Sequence, residues 1–266
     1  MKGKFIKSIF IILLSLYIGV FILIYGFQEK MIFKPESLPK DYVFEFKMPF
    51  QEFFLKSEDG ANLNALHFKV ENSNGVVLYY HGNAGELASW GKVVQKFVEL
   101  NYDVVVMDYR GYGKSTGSIK EEPLYKDAQL FYEYLLQNYS EDEIVVYGRS
   151  LGTTFAAFVA SQNNPKQLIL EAPFYSLDEV AQNRFPIYPV RWFLKFHFPT
   201  YKFIQKVNCP ITIFHGTEDT MVKYSNSEKL SQQIREEKLN FIKIPGGNHN
   251  NLVNTIEYQN GLDSIL

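Results

Sequence analysis

Cysteine is nearly absent from this 266-residue chain. Cys209 stands alone, so no internal disulfide can staple the fold. In Asn208-Cys209-Pro210 it reads as a buried structural thiol. Basic runs are missing too: 27 Lys and Arg against 29 Asp and Glu leave a formal net charge of −2. A nucleic-acid footprint needs a clustered basic face, so no nucleic-acid partner is expected. No group of His, Cys, Asp and Glu has metal-ligand spacing; neither a metal nor any other cofactor is implied. No internal repeat or low-complexity segment is visible.

Charge disappears altogether from Ser8 to Phe27, twenty mostly apolar residues in a row. About 20 such residues let a helix cross a hydrocarbon layer about 30 Å thick. A core helix of that length would carry one charged face. A cleaved signal peptide would have a shorter apolar region and an A-x-A-like site, which Tyr25-Gly26-Phe27-Gln28 does not offer. The expectation is therefore an uncleaved anchor over residues 1–28. Lys2, Lys4 and Lys7 precede the run, while Glu29, Lys30 and Lys34 follow it. The positive-inside rule then puts the N-terminus in the cytoplasm and the rest of the chain on the extracytoplasmic side.

Residues 29–266 suffice for one domain with a full core. Phe53–Leu55 and Leu63–Phe68 flank the Asp59-Gly60 turn and read as antiparallel strands. From Gly75 the pattern alternates. Buried-strand candidates are Val76–Tyr80, Asp103–Met107, Ile144–Tyr147, Gln167–Leu170, Ile211–Phe214 and Phe241–Ile244. Helical patterns cover Leu87–Leu100, Leu124–Gln137, Leu151–Ser161 and Ser225–Arg235. This predicts an α/β fold with a mostly parallel sheet covered on both faces. One interval breaks the alternation. Phe174–Ile204 is rich in aromatic residues and reads either as a cap over the strand ends or as rings packed onto the core.

Ser150 sits in Gly148-Arg149-Ser150-Leu151-Gly152, between an apolar strand and a helical stretch. A strand turning sharply into a helix through G-x-S-x-G is the nucleophile elbow of serine hydrolases. Ligands of open α/β sheets bind at the carboxyl ends of the strands. Two further strand ends there carry His215-Gly216-Thr217-Glu218-Asp219 and Pro245-Gly246-Gly247-Asn248-His249. A serine hydroxyl is a poor nucleophile, so His249 would take its proton and return it to the leaving group, with Asp219 fixing the imidazole tautomer. Glu218 is the rival acid and is expected to point outward. His67 lies in an early strand, His197 in the aromatic interval, and His81 and His215 open His-Gly turns read as structural.

The turn His81-Gly82-Asn83-Ala84-Gly85 follows another strand and can aim a backbone N–H at a developing oxyanion. Asn83 is the expected first donor and Leu151 the second. Asp108–Ser115 has glycines and a lysine but not P-loop spacing, and reads as a structural turn.

These segments (His-Gly-Asn-Ala-Gly, Asp-Tyr-Arg-Gly-Tyr-Gly-Lys-Ser, Tyr-Gly-Arg-Ser-Leu-Gly-Thr, His-Gly-Thr-Glu-Asp and Gly-Gly-Asn-His-Asn) resemble the abhydrolase-domain branch of the α/β-hydrolase superfamily. The likeness is to its small, single-span membrane-anchored members, which include protein depalmitoylases. It covers roughly residues 30–266 and departs mildly at Lys120-Glu121-Glu122-Pro123. It implies the α/β-hydrolase fold and a serine hydrolase acting on carboxylic esters or thioesters, with Ser150, Asp219 and His249 as the triad. The alternative is a catalytically silent fold that serves as a binding or scaffold protein. Fold alone does not name a substrate. Trp192, Phe193 and Phe196, interleaved with Arg191 and Lys195, are the expected substrate-binding rings, and the expected substrate is a small-molecule or lipid ester or thioester reached at the membrane.

Overall fold

The computed structural model describes the chain from Lys2 to Leu266. Among these residues eight strands make one sheet: β1 (Phe50–Lys56), β2 (Asn62–Phe68), β3 (Val76–Tyr80), β4 (Asp103–Met107), β5 (Ile144–Arg149), β6 (Gln167–Glu171), β7 (Ile211–Gly216) and β8 (Leu239–Ile244). Their spatial order is β8-β7-β6-β5-β3-β4-β2-β1. β2 is antiparallel to both of its neighbours, and every other pairing is parallel. Every residue of β3, β4, β6 and β7 is buried. Unbroken apolar runs such as Val76-Val77-Leu78-Tyr79-Tyr80 suit a sheet covered on both faces, because neither side of the strand meets water.

The helices are α1 (Lys2–Ile32), α2 (Leu87–Glu99), α3 (Glu121–Leu135), α4 (Gly152–Gln162), α5 (Leu177–Arg184), α6 (Thr200–Ile204), α7 (Ser225–Ser231) and α8 (Ile256–Ile265). One core layer gathers Phe131 of α3 and Phe155 of α4, and the other gathers Phe97 of α2 and Leu262 of α8. α2 starts in a capping box: the Glu86 side chain accepts the Ala88 N–H, and Ser89 takes the Glu86 N–H, which satisfies donors a helix start leaves open. α3 begins at Glu121, ahead of the predicted Leu124, because Pro123 falls in its first turn, where no intrahelical N–H is needed. α7 stops at Ser231, short of the predicted Arg235; beyond it the Gln233 and Ile234 N–H groups reach only the carbonyls of Leu230 and Ser231.

α1 is 31 residues long, and the side chains of its N-terminal half are exposed. It is long and apolar enough to cross a membrane. Its C-terminal half turns Phe21, Ile24 and Gln28 toward the protein, a spacing that keeps them on one helical face. Beyond it, Lys34–Pro35 pairs in parallel with Ala84–Gly85.

The long connection from β6 to β7 carries α5 and α6. Its rings divide. Phe174, Tyr188, Phe196 and Phe198 are buried, whereas Trp192 is 80% exposed and Phe193 44% exposed.

Candidate active site

Ser150 lies where β5 hands over to α4, at a φ of 50°. Non-glycine residues rarely occupy this left-handed region, and doing so costs about 1–3 kcal/mol. The surroundings hold it there. The Ser150 N–H donates to the Glu171 carbonyl at 2.8 Å, and the Ser150 carbonyl accepts from Thr153 N–H at 3.0 Å. The two glycines are steric requirements. A Cβ on Gly148 would sit 2.6 Å from the Gly152 carbonyl oxygen, and one on Gly152 would sit 2.0 Å from that of Tyr80.

The ends of β7 and β8 bring the partners. His249 Nε2 is 3.0 Å from Ser150 Oγ, and His249 Nδ1 is 2.6 Å from Asp219 Oδ2. A carboxylate only accepts, so Nδ1 carries the proton and the Nε2 lone pair faces the serine hydroxyl. The other Asp219 oxygen, Oδ1, accepts the N–H groups of Met221 and Val222, each at 2.8 Å. Burial alone would raise the Asp219 carboxyl; hydrogen bonds from His215 and His249 outweigh it and hold the group well below the usual carboxylate range. Glu218 is exposed and stands apart from His249.

His215 has more to do than shape a turn. It is fully buried, with Nε2 2.8 Å from the Val222 carbonyl and 3.3 Å from Asp219 Oδ2. The carbonyl can only accept, so Nε2 bears a proton that is shared toward the acid. Arg149 and Glu171 were likewise not singled out from the sequence. Arg149 Nε lies 3.1 Å from Glu171 Oε1, its Nη2 donates to the His249 carbonyl at 3.3 Å, and its guanidinium stacks over Trp90. The other Glu171 oxygen accepts the Tyr147 hydroxyl, which also bonds Tyr258. This buried ion pair therefore ties the elbow to the backbone that carries His249. G-x-S-x-G specifies only glycines around the serine, so the pairing of residue 149 with residue 171 follows from sheet register, where Arg149 sits beside Glu171.

The Asn83 turn packs on the elbow, since Gly152 abuts Tyr80 and His81. The backbone N–H groups of Asn83 and Leu151 carry no hydrogen bond to another described residue, which leaves them able to donate. Asn83 is held from behind. Its side chain donates to the Ile32 carbonyl at 2.8 Å, and its own carbonyl accepts Lys34 N–H and the Tyr112 hydroxyl, each at 2.8 Å. His81 is buried, hydrogen-bonded to the Gly82 carbonyl and stacked on Trp90. Asp108–Ser115 is a structural turn: Arg110 pairs with Asp59 and Asp127, and Lys114 with Glu52.

The three rings expected to meet substrate separate. Phe196 does not reach the surface; at 2% exposure it packs edge-on against Phe33 and beside Phe198 in the core, where burying its apolar ring is favourable. Phe193 meets Phe21 of α1. Trp192 lines a cavity of about 450 Å³ with Tyr175, Arg191, His197 and Tyr201. Ser150, Asp219 and His249 do not line that cavity, so it is distinct from the space in front of the serine.

Residues 71–205 match the profile of the Hydrolase_4 family, described as serine aminopeptidase, S33. An uncharacterised protein of Mycobacterium tuberculosis is 30% identical over 236 residues, covering 87% of this chain and 84% of that one. The lysophosphatidylserine lipase ABHD12 of Danio rerio is 27% identical over 293 residues, covering 89% of this chain and 76% of the lipase. Among solved structures, the Pyrococcus furiosus esterase Pf2001 superposes with a TM-score of 0.71 at 17% identity, over 88% of this chain and 96% of the esterase. At that identity the likeness speaks to the fold.

Proposed function

Because the chain belongs to the abhydrolase-domain family of α/β-hydrolases, we propose that it is a membrane-anchored serine hydrolase cleaving carboxylic esters or thioesters through an acyl-enzyme. The observation that carries this reading is the hydrogen-bonded chain Ser150–His249–Asp219 at the carboxyl end of a parallel sheet. Ser150 Oγ attacks the acyl carbonyl as its proton passes to His249 Nε2. The carbonyl oxygen becomes an oxyanion facing the Asn83 and Leu151 N–H groups. Collapse breaks the bond to the alcohol or thiol, which leaves with the proton from His249. A water molecule then repeats the sequence on the acyl-serine, delivering the free acid and restoring Ser150.

The lipase among the relatives favours an acyl-bearing lipid as substrate over a short soluble ester. The exposed rings of Trp192 and Phe193 would meet its acyl chains. α1 is the anchor, with Lys2, Lys4 and Lys7 on the cytoplasmic side and the hydrolase domain on the other. Turnover of a short p-nitrophenyl ester tests the chemistry. Ser150→Ala or His249→Ala should lower it by roughly 10⁴-fold or more, since triad members act as a unit. Unchanged turnover in both variants would end the proposal, and no turnover by the unaltered chain would leave a binding protein in its place.

A further inference from the structure

α1 does not stand clear of the domain. The loop after α5 runs alongside it, from the middle of the helix toward its C-terminal end. The Tyr17 hydroxyl donates to the Ile187 carbonyl at 3.1 Å, and the Tyr17 ring stacks on Tyr188 with centroids 4.6 Å apart. Phe21 meets Tyr188 and Phe193. Gln28 donates to the Phe193 carbonyl at 3.3 Å and accepts the Lys195 N–H at 2.7 Å. Tyr17 is near the middle of the uncharged run Ser8–Phe27. At a helical rise of 1.5 Å per residue, Tyr17 lies about 15 Å from Phe27 along the axis. That is half of a hydrocarbon layer about 30 Å thick. A bilayer that takes in the run must also take in the loop packed on it.

Backbone at that depth is tolerated only when its polar groups are satisfied within the protein. The loop meets most of this demand; the N–H groups of Ile187 and Arg191 and the carbonyls of Arg191 and Trp192 find no partner among the described residues. Pro186 and Pro189 have no N–H to satisfy. The carbonyls of Phe185, Pro186 and Tyr188 accept from the Gln182 side chain, that of Ile187 from Tyr17, and that of Pro189 from Trp192 N–H. The Tyr188 and Val190 N–H groups donate to the carbonyls of Phe185 and Tyr188. Ile187, 71% exposed, and Trp192, 80% exposed, point outward beside this backbone. Its own stretch of chain is cationic, while Asp178 and Glu179 of α5 line the cavity beside Arg191 and Trp192. From Val180 to Thr217 the chain carries Arg184, Arg191, Lys195, Lys202 and Lys206 and no Asp or Glu. Long cationic side chains lay their stems along hydrocarbon and extend their heads to lipid phosphates.

We propose that the loop Phe185–Phe193 is a second membrane element, immersed beside α1 in the leaflet next to the hydrolase domain, so that acyl substrates enter sideways from that leaflet. The immersion stands on the packing alone; the lateral entry rests on the hydrolase reading above.

The full-length chain in phosphatidylcholine–phosphatidylglycerol vesicles tests it. A fluorophore is attached through Ile187→Cys or, for comparison, through Glu237→Cys on the exposed turn before β8. Native Cys209 stays unlabelled because it is buried, with its thiol pushed up to about 11 by desolvation. Immersion predicts that nitroxide-bearing lipid tails quench the probe at 187 while aqueous iodide does not, and the reverse at 237. Equal iodide quenching at the two positions overturns it. Ile187→Asp supplies the functional arm. A carboxylate is costly inside hydrocarbon, so hydrolysis of a long-chain ester held in vesicles should fall about tenfold or more. Turnover of soluble p-nitrophenyl acetate should hold. Equal losses on both substrates, or none on either, overturn lateral entry. A failure of the hydrolase reading looks different: the unaltered chain would turn over neither ester while the quenching pattern persisted.

Discussion

Asp219 is the residue on which the chemistry depends most finely, because each of its oxygens has its own donors. Two backbone N–H groups hold Oδ1, while His249 and His215 share Oδ2. Asp219→Asn should therefore reduce ester turnover on the order of 10⁴-fold by favouring the wrong imidazole tautomer, whereas Glu218→Gln should leave it near normal. The opposite ranking in steady-state rates would move the acid to Glu218. His215 is a positioning residue acting through Asp219. His215→Leu should lower kcat about tenfold in the native background and far less beside Asp219→Asn, since residues in one network are not additive. Full additivity in that double-mutant cycle would reduce His215 to a packing role. Ser150, Asp219 and His249 were legible in the sequence because each follows an apolar strand in a fixed chain order. His215 and Arg149 were not. Their partners are chosen by sheet register and by the fold of the turn after β7, which no spacing encodes.

Glycines let elements meet, and the elbow shows how closely. Gly152 begins α4 against the carbonyl of Tyr80, so Gly152→Ala must push α4 away from β3 or bend the elbow. A denaturant melt should show a loss of about 1–3 kcal/mol, as overpacking typically costs, and ester turnover should collapse with it. A variant with native stability and native rate would mean that the elbow has slack. The strands themselves could be read from short apolar runs, but their ends could not. β5 runs on to Arg149 because β6 still pairs with it at Glu171, and β8 starts at Leu239 because β7 offers Ile211 there. The packing of α1 on the β6–β7 connection was also out of reach. A uniformly apolar run gives no periodic signal of which face has a neighbour, and Gln28, the polar residue on the face turned to the protein, lies just past its end. The contact of Asn83 with Ile32 was hidden for the same reason, although it joins the foot of the apolar helix to the candidate oxyanion turn.

Stability of the whole molecule should carry a pH signature set far from the site. His67 in β2 is buried between the hydroxyls of Tyr134 and Tyr139, and Tyr139 also bonds Asp103. Desolvation, helped by Lys69, lowers the His67 imidazole from 6.5 to about 4 against the opposing pull of Asp103. Between those values the unfolded chain holds a proton that the folded chain refuses. Stability is therefore lost as pH falls from about 6.5 to about 4, by on the order of 3 kcal/mol. His67→Gln should flatten that slope in denaturant midpoints taken across the window, and an unchanged slope would assign the acid sensitivity elsewhere. In the proposed hydrolase the sheet, the connection over it and the apolar helix frame one reacting group, Ser150 activated by His249. A fluorophosphonate reacts covalently with such a serine, so the most direct measurement is the intact mass of the full-length protein after treatment. One adduct on Ser150, absent from Ser150→Ala, is the predicted result. Equal labelling of both proteins, or none of the unaltered one, would contradict it.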